Sequence, residues 1–212
     1  MSSRFEKIPA YERQRILQAA MQEFAEKGYR QASTNAIVKA ASIPKGTLFY
    51  FFGSKKELFF NLLDGAIADY VAFVYAEKGE LPVDLFERLL HRQQVKLQFA
   101  VDFPLTFQFF SKVFLDIPDE IRKEMASRFG EYSTASAEDL EDGLDRDLFR
   151  EGVDIKAAIQ MVHVLLEGVL SRYTPQLRKA DPDQLQDLID QISDECRRYF
   201  DMIRKGIYRD DG

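Results

Sequence analysis

The segment from Thr34 to Lys56, TNAIVKAASIPKGTLFYFFGSKK, restricts the fold more than any other part of the chain. Ala36, Ile37, Ala40 and Ala41 form an apolar stripe at helical spacing, and Thr34 stands where a helix N-cap belongs. Pro44 disfavours helical geometry at Ile43, so Ser42-Ile43-Pro44 must turn. Lys45 to Phe52 then forms a second short helix, with Leu48 and Phe52 one turn apart and facing inward. Lys45, Thr47 and Tyr50 are left to face outward. Two short helices across a tight turn make a helix-turn-helix. Its second helix shows a cation, a hydroxyl and a phenol, a surface suited to a DNA major groove. Gly46 allows close backbone approach, and the nearby helix N-terminus favours phosphate.

The rest of the chain is helix punctuated by breakers. Residues 1–8 read as a loose arm. Pro9 opens a helix with Ile16, Leu17, Ala20, Phe24 and Ala25 on one stripe, and Lys27-Gly28 closes it. Ser54-Lys55-Lys56-Glu57 is a capping box ahead of a long fourth helix running toward Lys78 and Gly79. Pro82-Val83-Asp84 starts a fifth, Asp102-Phe103-Pro104 interrupts it, and a sixth reaches Leu115. A long seventh follows Pro118 and becomes polar between Ser133 and Asp147. Gly152-Val153-Asp154 introduces an eighth that Pro175 ends, and Asp181-Pro182 opens a ninth that Gly206 closes. With no alternating strand pattern, the expectation is an all-α chain of about nine helices.

Charge separates the two ends. The chain carries −6 overall, which alone argues against binding DNA. Through Asp64, however, ten Lys/Arg stand against six Asp/Glu, a balance of +4, and the remainder holds −10. A basic head on an acidic body fits a DNA reader with a separate second module. The one cysteine, Cys196, sits among apolar helix positions, so a buried small hydrophobe is expected, in a reducing cytoplasm. No apolar run approaches a membrane span and no signal peptide precedes the charged start, so no membrane partner is expected. His91 and His163 lie on different helices, and neither zinc spacing, a phosphate loop nor a nucleophile elbow is present. Catalytic, metal and cofactor sites are therefore not expected, and neither is enzyme activity.

The run from Ala40 through Leu58, together with Thr34, resembles the DNA-binding signature of the TetR/AcrR family of bacterial repressors. Four positions depart from it: Ser42 stands where many members have glycine, Pro44 replaces a common capping serine, and Phe49 and Phe51 flank Tyr50. The resemblance implies an N-terminal three-helix helix-turn-helix domain, residues 1–53, and a helical effector-binding and dimerisation domain, residues 54–212. It places Lys45 and the Gly46 backbone near base edges of a palindromic double-stranded operator. Thr34, Thr47, Tyr50, Lys55 and Lys56 would touch phosphates or sugars.

The resemblance also implies a small apolar or aromatic effector. The phenylalanines of the fifth and sixth helices are then the wall of a cavity as well as a core: Phe103, Phe107 and Phe110 would line it, with Tyr70 and Phe73 of the fourth helix. His163 and Glu167, one turn apart, could form a buried pair that orients the ligand. The eighth and ninth helices carry more apolar surface than one body-facing stripe requires, so they are expected to form a two-fold homodimer interface containing Leu188 and Ile192. The competing expectation is a helical small-molecule carrier or enzyme with no DNA role, whose second short helix would need no polar outward face.

Overall fold

The computed structural model describes residues 5–77, 79–115, 117–177 and 182–207. Among them are nine α-helices and no strand. They are α1 (Ala10–Gln31), α2 (Thr34–Ala40), α3 (Lys45–Phe52), α4 (Lys55–Glu77), α5 (Leu85–Asp102), α6 (Pro104–Leu115), α7 (Asp119–Glu141), α8 (Ile155–Leu177) and α9 (Pro182–Ile207). Their starts follow local chemistry. Ser54 Oγ accepts from the Glu57 amide at 3.1 Å, and Asp84 Oδ1 accepts from the Phe86 and Glu87 amides at 2.8 and 3.0 Å. Asp154 accepts from the Ala157 amide at 3.1 Å in the same way.

Two expected ends move. Gly28 breaks the regularity of α1 with φ 70° and ψ 175°, but a further turn carries the helix on to Gln31. Pro175 does not stop α8, which continues to Leu177. A proline there frees only the Ser171 carbonyl, and both residues are exposed, so water can take the lost bond.

The chain divides into two compact units, Met1–Phe73 with Asp102–Ser133, and Val74–Val101 with Thr134–Gly212. In the first unit Phe59 is the centre of the core. Its ring lies 5.3 Å from Phe24, 5.0 Å from Tyr29, 5.4 Å from Phe60 and 5.8 Å from Phe109. α6 packs along α1 and contributes Phe109 and Val113 to this core.

The described part of the N-terminal arm is not loose. Phe5, in a 3-10 turn over Phe5–Lys7, is fully buried, with its ring 4.7 Å from Phe52 and 5.4 Å from Phe51. Arg13 Nη1 donates to the Ile8 carbonyl at 3.1 Å and ties the arm to α1.

The second unit has its own core, with Leu85, Phe86, Leu89, Val162, Leu166, Ile192, Cys196 and Phe200 among its buried residues. A charged group is embedded in it. Arg88 is buried, and its guanidinium donates to the Pro82 carbonyl at 2.6 Å, to Leu140 at 3.2 Å and to Asp142. Carbonyls left over at the C-terminus of α7 thus satisfy a cation that would otherwise be costly to bury. α8 packs on α9 around Glu195, which accepts from Arg172 at 2.5 Å, Tyr173 at 2.8 Å and Tyr199 at 2.9 Å. Cys196 is buried as expected, and burial pushes its thiol up to about 11, too high for a reactive thiolate.

α4 has the length and apolar composition of a membrane span. Its Leu58, Phe59, Leu62, Leu63 and Ala66 are nevertheless buried in the first unit's core, and Asp64 and Asp69 interrupt it. Those are features of a core helix.

Candidate nucleic-acid interface

The residues from 34 to 56 contain four lysines and no aspartate or glutamate. How the chain folds decides where those lysines point. The N-cap of α2 is Ser33, not Thr34: Ser33 Oγ accepts from the Ala36 amide at 3.3 Å, and its own amide donates to Glu23 of α1 at 2.9 Å. Thr34 is therefore the first helical residue, half-buried. The helix ends in a paired closure, with the Ser42 amide donating to Lys39 at 3.2 Å and the Ile43 amide to Val38 at 3.0 Å. That closure needs a left-handed residue, and Ser42 supplies it at φ 51°, the one non-glycine positive φ among the described residues. A serine in this geometry is strained where glycine would not be.

Pro44 caps α3 without a side-chain bond, its carbonyl accepting from the Thr47 amide at 2.9 Å. Gly53 ends the helix at φ 70°, and a Cβ there would lie 2.2 Å from Glu57 Oε2. Leu48 and Phe52 are buried beneath α3. Lys45, Gly46, Phe49 and Tyr50 make the exposed face, Tyr50 at 60%. Thr47 is half-buried at the edge of that face.

Gly46 is informative because the fold does not require it. No atom lies within 4 Å of a Cβ built there. Gly46→Ala should leave the protein folded, with helix propensity favouring alanine by up to about 1 kcal/mol. If the helix backbone approaches DNA at this point, the added methyl costs about 1–3 kcal/mol of binding. Thermal melting beside a gel-shift titration checks both halves: unchanged or raised melting with about tenfold or weaker DNA affinity.

Lys55 and Lys56 are half-exposed, and both find partners within the protein. Lys55 donates to the Arg30 carbonyl at 3.1 Å and lies 5.1 Å from the Tyr29 ring centroid, and burial lowers its pKa. Lys56 pairs with Glu124 of α7. Sequence spacing missed these partners, and it also missed Phe49. The signal for Phe49 was present: it lies one turn from Lys45, hence on the outward face. An exposed phenylalanine there offers apolar contact to a thymine methyl.

The expected effector residues fall in both units. In the first, the Tyr70 ring lies 6.3 Å from Phe110 and that of Phe73 5.7 Å from Phe103, while Phe107 is half-buried on α6. In the second, His163 Nδ1 and Glu167 Oε1 are 4.0 Å apart, and both residues are exposed on α8 rather than buried as expected. Among the described residues no three His, Cys, Asp or Glu side chains are grouped to hold a metal.

Comparison with known proteins agrees with this geometry. The profile for bacterial regulatory proteins of the tetR family matches residues 16–62, which span α1, α2, α3 and the start of α4. The chain is 24% identical over 193 residues to the HTH-type transcriptional repressor AcnR of Corynebacterium glutamicum, covering 90% of this chain and 95% of that protein. It is 21% identical over 182 residues to the fatty acid metabolism regulator protein of Bacillus subtilis, covering 83% and 89% respectively. Among solved structures, a TetR family transcriptional regulator from Chloroflexus aurantiacus superposes with a TM-score of 0.69 at 22% identity, over 98% of both chains.

Proposed function

As a DNA-binding transcriptional regulator of the tetR family, the chain reads double-stranded DNA, and we propose that it is a cytoplasmic, dimeric repressor released from a palindromic operator by a small apolar effector. The match over residues 16–62 supports this reading over that of a carrier or enzyme without a DNA role, and no catalysis belongs to it. The observation that carries it is the exposed face of α3, Lys45, Gly46, Phe49 and Tyr50, seated on buried Leu48 and Phe52. Lys45 and the Gly46 backbone meet base edges, while Thr34, Thr47 and Tyr50 meet the backbone. Residues 1–53 form the helix-turn-helix domain that reads the DNA, and the remainder carries the effector and dimer functions.

α6 supports the effector part of the proposal. One side of it, Phe109 and Val113, is core. The other side shows Phe103, Phe107 and Phe110 only partly covered, opposite Tyr70 and Phe73 on α4. A ligand inserted among these rings displaces the tail of α4, and a rigid helix carries the motion back to its capped head at Ser54, beside α3. His163 and Glu167 belong to the second unit, exposed on α8, and this reading gives them no part among the first unit's rings. Linkage then demands reciprocity: the effector weakens operator binding by the factor by which operator weakens effector binding, typically about 1–3 kcal/mol of coupling. Titrating a ligand recovered from a thermal-shift screen, with and without operator duplex, should give that difference, and Phe107→Ala should abolish it while retaining DNA binding. Equal affinities would remove the effector role.

Dimerisation is proposed through α8 and α9, with α8 supplying the exposed seam. Ala157, Met161, Val164, Gly168, Ser171 and Pro175 recur at alternating intervals of four and three residues and are all exposed. Nothing lies within 4 Å of a Cβ at Gly168, which leaves room for a partner helix to approach. Ile192, expected in that interface, is instead 0% exposed within its own chain, because the apolar stripe of α9 packs on α8 and the second unit's core. Leu188 is half-buried.

A further inference from the structure

Lys56 is held by a carboxylate of α7. It is the second residue of α4, close behind α3, on the basic stretch that the DNA-binding reading brings to the phosphates. Its ammonium forms an ion pair with Glu124 of α7 and lies 3.4 Å from the Glu120 carbonyl oxygen. A second rung lies further along the same two helices. Arg128, one turn after Glu124, donates to Asp64 at 2.6 Å, and its guanidinium sits 4.2 Å from the Phe60 ring centroid. Lys55, by contrast, is held by the Arg30 carbonyl and the face of the Tyr29 ring. α7 therefore places the Glu124 carboxylate and the Glu120 carbonyl against Lys56 at the head of α4.

With Glu124 and the Glu120 carbonyl as acceptors, the Lys56 ammonium has one N–H donor left and much of its charge offset, and a carboxylate beside a phosphate repels it. The pair itself is weakly held. Its side chains are 42% and 40% exposed, the regime in which an ion pair adds little to fold stability. It can therefore open without unfolding the unit, while Arg128, Asp64 and Phe60 keep α7 on α4.

We propose that Glu124 is a latch on DNA affinity: it withholds Lys56 from the DNA backbone in the form seen here, and α7 sets affinity by releasing or retaining that lysine. The inference rests on the reading of α2 and α3 as the DNA-binding element, and adds a residue far from them in sequence.

The test uses the full chain as wild type, Glu124→Gln, Lys56→Gln and the double variant. Each is titrated with a random-sequence duplex and with a selected operator over a series of salt concentrations. Glu124→Gln should bind about threefold to tenfold tighter at low salt, with log K against log salt steeper by about 0.9 for each freed lysine. Lys56→Gln should remove the whole gain, so that it costs far more in the Glu124→Gln background than in the wild type. Glu124→Asp, which withdraws the carboxylate by one methylene, should show a smaller gain of the same kind and serves if the glutamine variant melts early. Unchanged or weaker binding by both Glu124 variants, or an equal cost of Lys56→Gln in both backgrounds, would overturn the latch. No duplex binding by any of the proteins would overturn the DNA-binding reading itself.

Discussion

Phe5→Ala should destabilise the first unit by about 3–5 kcal/mol, the range for emptying a buried phenylalanine site. It should lower that unit's melting temperature by roughly 10 °C or more. The ring is fully buried and touches both Phe51 and Phe52, so the cavity opens directly beneath α3. Little else can collapse into it, because Leu48 and Phe52 already fill the space under that short helix. DNA affinity should fall along with stability, since α3 loses the contact that fixes its orientation. Phe5→Leu should recover most of both, as it refills most of the volume. Circular dichroism melts paired with gel shifts give the answer, and wild-type melting in Phe5→Ala would mean that the arm contributes nothing.

Val164→Arg should leave a folded protomer and abolish the dimer. The side chain is 72% exposed, so a cation there costs the isolated chain little. In a two-fold interface centred on α8 the same change brings two arginines to facing or neighbouring positions and desolvates both. A monomer engages one half-site only, so operator affinity should fall by a factor on the order of 10²–10⁴, the scale of lost bivalency. Light scattering reads the mass and a gel shift the affinity. Ile192→Arg is the control: its side chain is wholly buried within the protomer, so it should unfold the second unit rather than yield monomers. A Val164→Arg protein that remains dimeric would move the interface off this face.

What the sequence made legible is local. The capping serine and aspartates at Ser54, Asp84 and Asp154, the turn at Ser42 to Pro44, and the buried pair Leu48 and Phe52 are each set by residues within a turn of one another. The features that escaped depend on partners far along the chain. Lys56 meets Glu124, 68 residues on, and nothing in a basic stretch beside a recognition helix announces that pairing. Phe5 is one aromatic residue in a charged arm, and only the folded unit shows it covered by α3. Ile192 lies on an apolar stripe that periodicity identifies correctly, but periodicity cannot say whether a stripe faces its own chain or another. Pro175 does not break α8, because its effect depends on whether water reaches the freed carbonyl, and a sequence pattern carries no exposure.

The most direct test of the exposed α3 face as the DNA-reading surface of a two-fold dimer is a footprint. Genomic fragments selected on the purified wild-type protein would be probed by hydroxyl-radical cleavage with wild type and with Gly46→Ala. The wild type should protect an inverted repeat whose half-sites lie about 34 Å apart along the duplex, or a multiple of one helical turn. At the same concentration Gly46→Ala should leave it open to cleavage. A footprint that Gly46→Ala reproduces in full, or protection with no two-fold related half-sites, would contradict the account.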